Sequence, residues 1–328
     1  MINLVNDCEK NDTPENYIKQ SALALGFSAC GIAEARRLLK EEELFRDAVK
    51  LGFHGGKAYL ERDIEKRFDP RLLLPDCKSV IVCLYNYFSQ QNPKSDYKIA
   101  KYALLTDYHE LLHEKLERLA ADLQGHYPDM AYKISVDSSA VSEKSWAIRA
   151  GLGSAGKNTL LQTPQGSYFL IGVLLTTIPL LPDNEQYVPC GNCTRCIEAC
   201  PTQAIVSPYR LDAEQCIYRL NAAKCISFQN IENRNLENDF QNPTSWIFGC
   251  DICQDVCPHN QKAQYGKDAQ NHFSLFLHFG NEEFENLKKE HYNNIVKKTP
   301  LERVKFEKLQ IEIAKIKALN QRIKNDKI

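Results

Sequence analysis

The sequence predicts an α+β protein in three parts: a mixed α/β unit, a cysteine-rich unit and a helical C-terminal region. Three observations support this prediction. Segments with helix-like and strand-like patterns alternate irregularly over the first 182 residues. Nine of the 13 cysteines then fall between residues 183 and 264. Beyond this stretch the pattern is helical and increasingly basic. We therefore expect domains at residues 1–182, 183–264 and 265–328.

Size, charge and cysteine count limit the class of protein. The 328 residues can bury a substantial core, and 43% apolar with 25% charged residues is ordinary for a globular protein. A net charge of −1 gives no overall attraction to nucleic acid or membrane. The charged N-terminal residues do not form a signal peptide, and the longest apolar run, 168–181, is too short to cross a bilayer. We expect a monomer in the reducing cytoplasm, without a membrane partner.

Local signals predict the elements of the first unit in order. Thr13 and Pro14 begin a helix that ends near Gly26. A short strand is predicted over 27–33, followed by a polar helix to about residue 50 and a glycine-containing loop. The segment 78–88 is rich in β-branched and aromatic residues and is predicted to be a strand.

The same unit continues with an amphipathic helix over 107–124, where leucines recur at helical spacing. A short strand over 132–136 follows, with Asp137 at its end. A helix is predicted over 141–150, then a tight glycine loop over 151–158. The apolar run at 168–181 is predicted to be a buried strand.

The glycine loop resembles two nucleotide-binding patterns without satisfying either. Gly151, Gly153 and Gly156 match a dinucleotide fingerprint, and Lys157 completes the spacing of a P-loop. Both patterns should follow a strand, whereas the preceding segment is helix-like. Asn158 also stands where a P-loop needs serine or threonine. We therefore expect this loop to pack against a different large cofactor.

Two cysteine runs predict iron–sulfur clusters. The first has the pattern C-x2-C-x2-C-x3-C-P, which is the bacterial ferredoxin run for a [4Fe–4S] cluster. The second repeats the pattern without its first cysteine, whose place falls on Ile247. Zinc is the main rival, but four cysteines within eleven residues closed by a proline favour clusters. The runs are Cys190, Cys193, Cys196 and Cys200, followed by Cys250, Cys253 and Cys257.

The ligands divide into two sets because the last cysteine of each run binds the other cluster in two-cluster ferredoxins. One set is then Cys190, Cys193, Cys196 and Cys257. The other is Cys200, Cys250, Cys253 and one more cysteine. The candidates are Cys216 and Cys225, which occupy the same place in the near-identical tandem segments YRLDAEQCI and YRLNAAKCI. We interpret Cys8, Cys30, Cys77 and Cys83 as ordinary buried residues.

Further motifs lie in a fixed order along the chain: Lys66-Arg67-Phe68-Asp69-Pro70, Asp107-Tyr108-His109, Asp137-Ser138, Glu143-Lys144, Ala150-Gly151-Leu152-Gly153, Gly156-Lys157-Asn158-Thr159-Leu160-Leu161, Gly249-Cys250-Asp251 and Cys257-Pro258. This series resembles the epoxyqueuosine reductases, which make queuosine in tRNA. The resemblance covers roughly residues 15 to 310. It implies a nitroreductase-like α/β unit that binds cobalamin, joined to a ferredoxin-like unit with two clusters. The long helical-repeat extension of some members is absent from this sequence.

The resemblance also implies the chemistry. Electrons would pass through two [4Fe–4S] clusters to cobalamin, and an epoxide on a modified guanine at the tRNA wobble position would become an alkene. Asp137 matches the family's proton donor, and we expect burial to raise its pKa. Arg67, Lys157 and Asn158 are candidate cobalamin contacts. A D-x-H-x-x-G motif is missing from the sequence, so we expect no histidine ligand from the protein on cobalt.

Some features leave alternatives open. Spacing from Cys200 favours Cys216 as the eighth ligand, whereas the residues after Cys225 resemble the family's continuation, and we favour Cys225. From Leu287 onward, twelve Lys or Arg stand against five Asp or Glu, which is either a solvated helix face or a surface for tRNA phosphates.

Two rival functions use the same cysteine runs. One is a reductive dehalogenase-like enzyme, although such enzymes are typically exported. The other is an electron-transfer protein, which would not need the long first unit. A flavodoxin or ferredoxin is the expected electron donor.

Overall fold

The computed structural model describes residues 13–89, 91, 93–137, 139–210, 216–237 and 239–325, apart from the side chains at 207–210, 216–218 and 323–325. Cys8, Ser138 and the side chain of Cys216 therefore lie outside the described residues. The helices are α1 Pro14–Ala24, α2 Leu39–Lys50, α3 Ile64–Phe68, α4 Tyr108–His126, α5 Glu143–Arg149, α6 Arg195–Ala199, α7 Ile252–Asp255, α8 Asn281–Glu285, α9 Lys289–Ile295 and α10 Phe306–Asn325. The strands are β1 Ala29–Glu34, β2 Ser79–Asn86, β3 Lys98–Ile99, β4 Tyr132–Ser135, β5 Ser154–Ala155, β6 Leu161–Gln162, β7 Phe169–Thr176, β8 Ile205–Arg210, β9 Cys216–Leu220 and β10 Trp246–Phe248.

The predicted start and end of α1 are confirmed. Thr13 accepts a hydrogen bond from the backbone N–H of Asn16 at 3.3 Å, and Pro14 occupies the first turn. Gly26 follows the helix with a φ of 91°, in the left-handed region that ends many helices. Capping side chains act within a few residues, so this boundary could be predicted from the sequence.

A four-stranded antiparallel sheet forms the centre of the first unit, in the order β1, β2, β7, β4. Seven of the eight residues of β2 are buried, which accounts for its nearly continuous apolar sequence. Helices α1 and α4 cover one face, where Leu112 and Ile81 share a core. Helix α5 covers the other face, where Trp146 packs with Val80 and Val173. The predicted mixture of helix and sheet is thus confirmed.

Helix α4 approaches the sheet closely at Gly172 of β7. A Cβ atom added there would lie 2.8 Å from Leu116 Cδ1. Strand β7 ends at Thr176, so the strand predicted over 168–181 is shorter than its apolar run. The chain beyond it crosses the edge of the sheet, where Asp183 accepts a hydrogen bond from the backbone N–H of Ile32.

The glycine loop after α5 is a short hairpin made by β5 and β6. Gly153 has a φ of 149°, and an added Cβ would lie 2.1 Å from the carbonyl oxygen of Gln162 on the opposing strand. Glycine is therefore required by the close approach of the two strands. A helix precedes the loop, as predicted, so the strand that a nucleotide-binding loop would follow is not at this position.

The cysteine-rich and C-terminal parts share a core with the first unit. Strand β10 pairs in parallel with β3. Ile99 packs in one core with Ile247 and Phe248, and with Phe276 and Leu309 from the C-terminal region. The domain boundaries at 182/183 and 264/265 stay predictions, since this core draws on all three ranges.

The basic C-terminal residues largely make contacts within the protein. Arg303 forms a two-pronged ion pair with Glu232, and Lys289 pairs with Glu307. Lys308 is buried and donates to the carbonyl oxygen of Gln229 at 2.6 Å. These contacts favour a structural role over a phosphate surface for the cations concerned. In the part of the chain that is described, none of the helices is both long and apolar enough to cross a bilayer.

Candidate active site and cysteine groups

The first cysteine group surrounds a cavity of about 120 Å³. Its four thiols are the predicted set that combines three cysteines of the first run with the last cysteine of the second. Burial and the neighbouring thiols raise the pKa of Cys196 to about 11. A cavity bounded by four thiols fits a [4Fe–4S] cluster, whose ligands are cysteine thiolates. The cavity is lined by Cys190, Cys193, Cys196 and Cys257, together with Lys157, Asn158, Gln162, Pro258 and His259.

The second cysteine group consists of Cys200, Cys225, Cys250 and Cys253. Burial raises the pKa of Cys250 to about 12, with smaller contributions from Cys225 and Cys200. Burial has the largest effect in raising the pKa of Cys253, followed by the charges of Cys250 and Cys225. These mutual effects show that the structure brings Cys225 together with the three cysteines predicted for one cluster. Cys196 also raises the pKa of Cys253, so the two groups are neighbours.

The other candidate for the eighth ligand, Cys216, is at the start of β9, opposite Arg210 in a two-stranded hairpin. Its side chain is outside the described residues. The choice between Cys216 and Cys225 therefore stays a prediction, and the contacts of Cys225 support the choice made from the sequence.

The four thiols of the first group line a cavity. Among the residues whose placement is described, no group of three or more His, Cys, Asp or Glu side chains could hold a single metal ion. Zinc would require four donors at about 2.0–2.3 Å from one ion. A four-iron cluster binds each thiolate through a different iron, so its ligands stand further apart.

Asn230 connects the two segments that carry Cys225 and Cys250, and the sequence did not reveal this role. It lies in one turn of π-helix, Phe228–Glu232, and is buried. Its Nδ2 donates to the carbonyl oxygens of Trp246 at 3.2 Å and Gly249 at 3.0 Å, and its Oδ1 accepts from the Gly249 N–H at 2.9 Å. This side chain therefore aligns the backbone on either side of the second cysteine group.

Replacing Asn230 with alanine should destabilise the protein. The change leaves buried backbone groups of Gly249 without partners, at a cost of about 1–3 kcal/mol. Thermal unfolding of the cluster-free protein measures this, with the exposed Asn286→Ala as control. Equal unfolding temperatures for the two variants would contradict the connecting role.

Lys157 and Asn158 contact the cysteine loops. Lys157 Nζ donates to the carbonyl oxygens of Gly191 and Cys193, each at 2.9 Å. Asn158 Nδ2 donates to the carbonyl oxygen of Cys253 at 3.2 Å. The glycine loop that carries them therefore supports the first cysteine cavity, and the contact of Lys157 and Asn158 with cobalamin stays a prediction.

Asp137 lies at the end of β4, with 63% of its side chain exposed. We refer to the solvent-accessible space in front of this side chain as the cleft. Its φ of 55° is in the left-handed region, which is uncommon for a residue other than glycine. Tyr108 donates a hydrogen bond to Asp137 Oδ2 at 3.0 Å. His109 Nε2 is 3.6 Å from the same oxygen, and its Nδ1 is 2.8 Å from Asp107 Oδ1. The start of α4 therefore places an imidazole between two carboxylates.

The predicted rise in the pKa of Asp137 is wrong for this structure. The hydrogen bond from His109 has the largest effect and lowers the pKa of Asp137, and Tyr108 adds to this against the opposing effect of burial. For His109, burial alone would lower the pKa, but the hydrogen bonds and charges of Asp137 and Asp107 outweigh it and raise the pKa. The exposed carboxylate is thus stabilised as an anion beside an imidazole that retains its proton more readily.

Glu143, the first residue of α5, carries the raised carboxyl pKa instead. Burial and, to a smaller degree, the charge of Asp137 raise the pKa of Glu143 to about 7. Its Oε1 accepts a hydrogen bond from the backbone N–H of Asp137 at 2.5 Å. The sequence placed Glu143 in a motif but gave no sign of this contact, because it depends on how the turn after β4 folds back onto α5.

Two cationic side chains, Lys57 and Arg67, lie in the electrostatic surroundings of Asp137 and Tyr59. Burial lowers the pKa of Lys57 despite the charges of Glu232 and Cys225, and Asp137 is also within electrostatic reach. Lys57 is therefore within electrostatic reach of both Cys225 and Asp137. Arg67 donates from Nη2 to the carbonyl oxygen of Tyr59 at 2.9 Å. Its Nε atom is buried and has no hydrogen-bond partner among the described residues.

Comparison with known proteins identifies the class and then the family. The family model "4Fe-4S double cluster binding domain" matches residues 189–260, which span both cysteine runs. The chain is thus of the double-cluster class. A second family model, "Epoxyqueuosine reductase QueG, DUF1730", matches residues 67–138.

An epoxyqueuosine reductase from Cyclobacterium marinum is 38% identical over 309 residues, covering 92% of this chain and 96% of its own. The chain belongs to the epoxyqueuosine reductase family, whose members are oxidoreductases.

Solved structures agree with this assignment. An epoxyqueuosine reductase bound to an epoxyqueuosine-modified tRNA-Tyr stem loop has a TM-score of 0.80 and 27% identity, covering 92% of this chain and 80% of that chain. An epoxyqueuosine reductase from Bacillus subtilis, whose catalytic aspartate loop is swung out of the active site, has a TM-score of 0.76 with 27% identity and the same coverage.

Proposed function

We propose that this chain reduces epoxyqueuosine to queuosine at the wobble position of tRNA. The observation that carries the proposal, in a chain of this family, is that Lys57 lies within electrostatic reach of both Asp137 and Cys225. A source of electrons and a source of protons would therefore face the same space, as reduction of an epoxide to an alkene requires. That conversion consumes two electrons and two protons, and the epoxide oxygen leaves as water.

The two cysteine groups fit two [4Fe–4S] clusters. Cys190, Cys193, Cys196 and Cys257 would hold one, and Cys200, Cys225, Cys250 and Cys253 the other. When bound, such clusters supply single electrons at low potential. The protein's own contribution is to shield these ligands at least partly from solvent and to hold the two groups side by side. Lys157 and Asn158 support this by fixing the loops at Cys193 and Cys253.

The cleft residues fit cobalamin. Lys57 is within electrostatic reach of Asp137, and Arg67, whose buried Nε has no hydrogen-bond partner among the described residues, acts on Tyr59 together with Asp137. Such groups are expected where a large ligand with amide and phosphate groups completes the polar contacts. When bound, cobalamin would supply a cobalt centre that delivers electrons to the substrate. The nitroreductase-like character implied by the resemblance belongs to this proposal. It is supported by the antiparallel sheet covered with helices on both faces.

The chain's own residues would supply the proton. Asp137 reaches into the cleft and is the group that gives a proton to the departing oxygen. Because its own pKa is lowered, its proton must come from a neighbour, and His109 is 3.6 Å away. A proton on His109 Nε2 would pass to Asp137 Oδ2, while Asp107 holds the imidazole through Nδ1. Catalytic hydrogen bonds are often long before the substrate binds.

The structures of two relatives support the roles proposed for the turn that carries Asp137 and for tRNA as the substrate. In the Bacillus subtilis relative the catalytic aspartate loop has swung out of the active site, and we take Asp137 to stand on the corresponding loop. The tRNA stem loop bound to another relative indicates the substrate class. A wobble base would be extruded into the cleft, since enzymes that act on a base take it out of the stack. A flavodoxin or ferredoxin donor and a monomeric state stay predictions.

Replacing His109 with glutamine should lower turnover about tenfold or more and change its pH dependence. In the unmodified protein the Asp137 and His109 pair retains a proton up to the raised pKa of His109, and activity falls as pH rises through it. Without the imidazole only the carboxyl group of Asp137 can hold the proton, so the fall in activity should move to lower pH. The measurement is kcat/KM against pH, with the exposed His113→Gln as control. An unchanged profile would remove His109 from the proton path.

The function is tested by mass spectrometry of nucleosides from epoxyqueuosine-containing tRNA after incubation with the reconstituted protein and a reductant. Queuosine should appear. A parallel incubation with a small organohalide tests the dehalogenase alternative, for which halide release without queuosine would be the supporting result. If neither substrate is reduced, the result would support the alternative of an electron-transfer protein.

A further inference from the structure

We propose that Glu143 is a positioning residue that holds Asp137 in the cleft by accepting the hydrogen bond of its backbone N–H. This inference rests on the proposed function, in which Asp137 gives a proton to the substrate. The contact joins a residue that acts in the cleft to the first turn of a helix fixed in the core. Glu143 itself does not touch the reacting atoms in this account.

The backbone at Asp137 needs such a contact. Its φ of 55° costs conformational free energy for a residue with a side chain, and surrounding interactions must offset that cost. Its carboxylate reaches Tyr108 and His109, but those contacts hold only the side chain. The hydrogen bond to Glu143, at 2.5 Å, fixes the backbone itself.

Glu143 is well placed to act as the fixed partner. It begins α5, and Trp146 on the same helix is 1% exposed in the core. The residue before it is also tied down, because the Ser142 N–H donates to the carbonyl oxygen of Arg67 at 2.9 Å. The Ser139 hydroxyl donates a hydrogen bond of 2.6 Å to the hydroxyl of Ser135, the last residue of β4. The rigid side of the contact is therefore the helix, and the strained side is Asp137.

The surroundings of Glu143 make this contact sensitive to pH. The groups that face it are the Asp137 carboxyl, the Ser135 hydroxyl, the Tyr108 phenol and Lys144 of its own helix. Burial and the Asp137 charge raise the pKa of Glu143 to about 7, and the charge of Asp137 raises it by more than the hydrogen bond from the Asp137 N–H lowers it. Both of these Asp137 effects disappear if Asp137 moves away into solvent. The inward arrangement thus binds a proton more tightly than the outward one. By linkage, low pH favours the inward arrangement, and raising the pH through 7 favours release.

The test is hydrogen exchange of the Asp137 amide, followed by mass spectrometry of short peptides from the full-length protein before cofactor loading. Glu143→Ala should lower the protection factor about tenfold, the effect of losing one hydrogen bond of ordinary strength. Glu143→Gln retains a neutral acceptor. Its protection should match that of the unmodified protein at pH 6 and remain constant to pH 8, whereas protection of the unmodified protein falls over this range. Glu114→Gln, at an exposed position of α4, is the control.

Two results would overturn the inference: unchanged protection in Glu143→Ala, or the same pH dependence in Glu143→Gln as in the unmodified protein. The unfolding temperature of each variant distinguishes local release of Asp137 from global loss of structure. Because the measurement does not use activity, it succeeds or fails independently of the proposed reaction. In the reconstituted enzyme, Glu143→Ala should lower kcat with little change in the KM for tRNA, and an effect on KM alone would contradict a positioning role.

Discussion

Replacing Asp137 with asparagine should abolish turnover while both cysteine groups still bind their iron. The asparagine side chain has nearly the same shape and can still accept a hydrogen bond from Tyr108, but it holds no proton that it can transfer. General acid catalysis contributes about 10²–10⁴-fold to rates, and a loss in this range is expected for kcat. Quantifying queuosine formed per minute in reconstituted enzyme measures the effect. Asp122→Asn, at an exposed position that pairs with Tyr17, serves as the control.

A turnover within a few-fold of the unmodified enzyme would contradict the role of Asp137. The proton would then have to come from another group in the cleft. Iron content and cobalamin absorbance measured on the same preparation ensure that lost activity is not lost cofactor.

Replacing Cys225 with alanine should remove one cluster. The iron content should fall from about eight towards four atoms per chain, because the cluster loses one of its four thiolate ligands. Cys216→Ala should keep both clusters. Iron and sulfide analysis after anaerobic reconstitution measures this, with electron paramagnetic resonance of the reduced protein to count the clusters.

Because the tandem segments that contain Cys216 and Cys225 are so similar, both single variants must be measured side by side. Loss of iron in Cys216→Ala alone would contradict the assignment and make the hairpin cysteine the ligand. If neither single change lowers the iron content, the two cysteines substitute for each other, and the double variant should then lose the cluster.

The cysteine pattern could predict the composition of the first group, because spacing in a run and the crossing of the last cysteine are local rules. They assigned Cys257 to the distant first run, and the structure brings it to the same cavity. The rules could not choose between Cys216 and Cys225. The contact that aligns Cys225 with Cys250 is made by Asn230, and nothing in its local sequence distinguishes that residue from a surface asparagine.

The motif that contains Asp137 could be found in the sequence, but its electrostatics could not. The direction of its pKa shift depends on His109 and Tyr108, which reach it from a different helix. Glu143 illustrates the same limit, since its burial arises from the fold of the turn. Capped helices such as α1 followed their sequence signals closely. The two-residue strand β3 and its pairing with β10 left no recognisable pattern, because such short strands are specified by tertiary packing.

The most direct test of the central claim compares queuosine formation by the cluster-loaded protein with and without added cobalamin, under anaerobic conditions with a reductant and epoxyqueuosine-containing tRNA. The proposed cleft predicts that queuosine accumulates over many turnovers only when cobalamin is present. Equal formation without cobalamin would contradict its role in the cleft, and no formation in its presence, with both clusters intact, would contradict the proposed reaction.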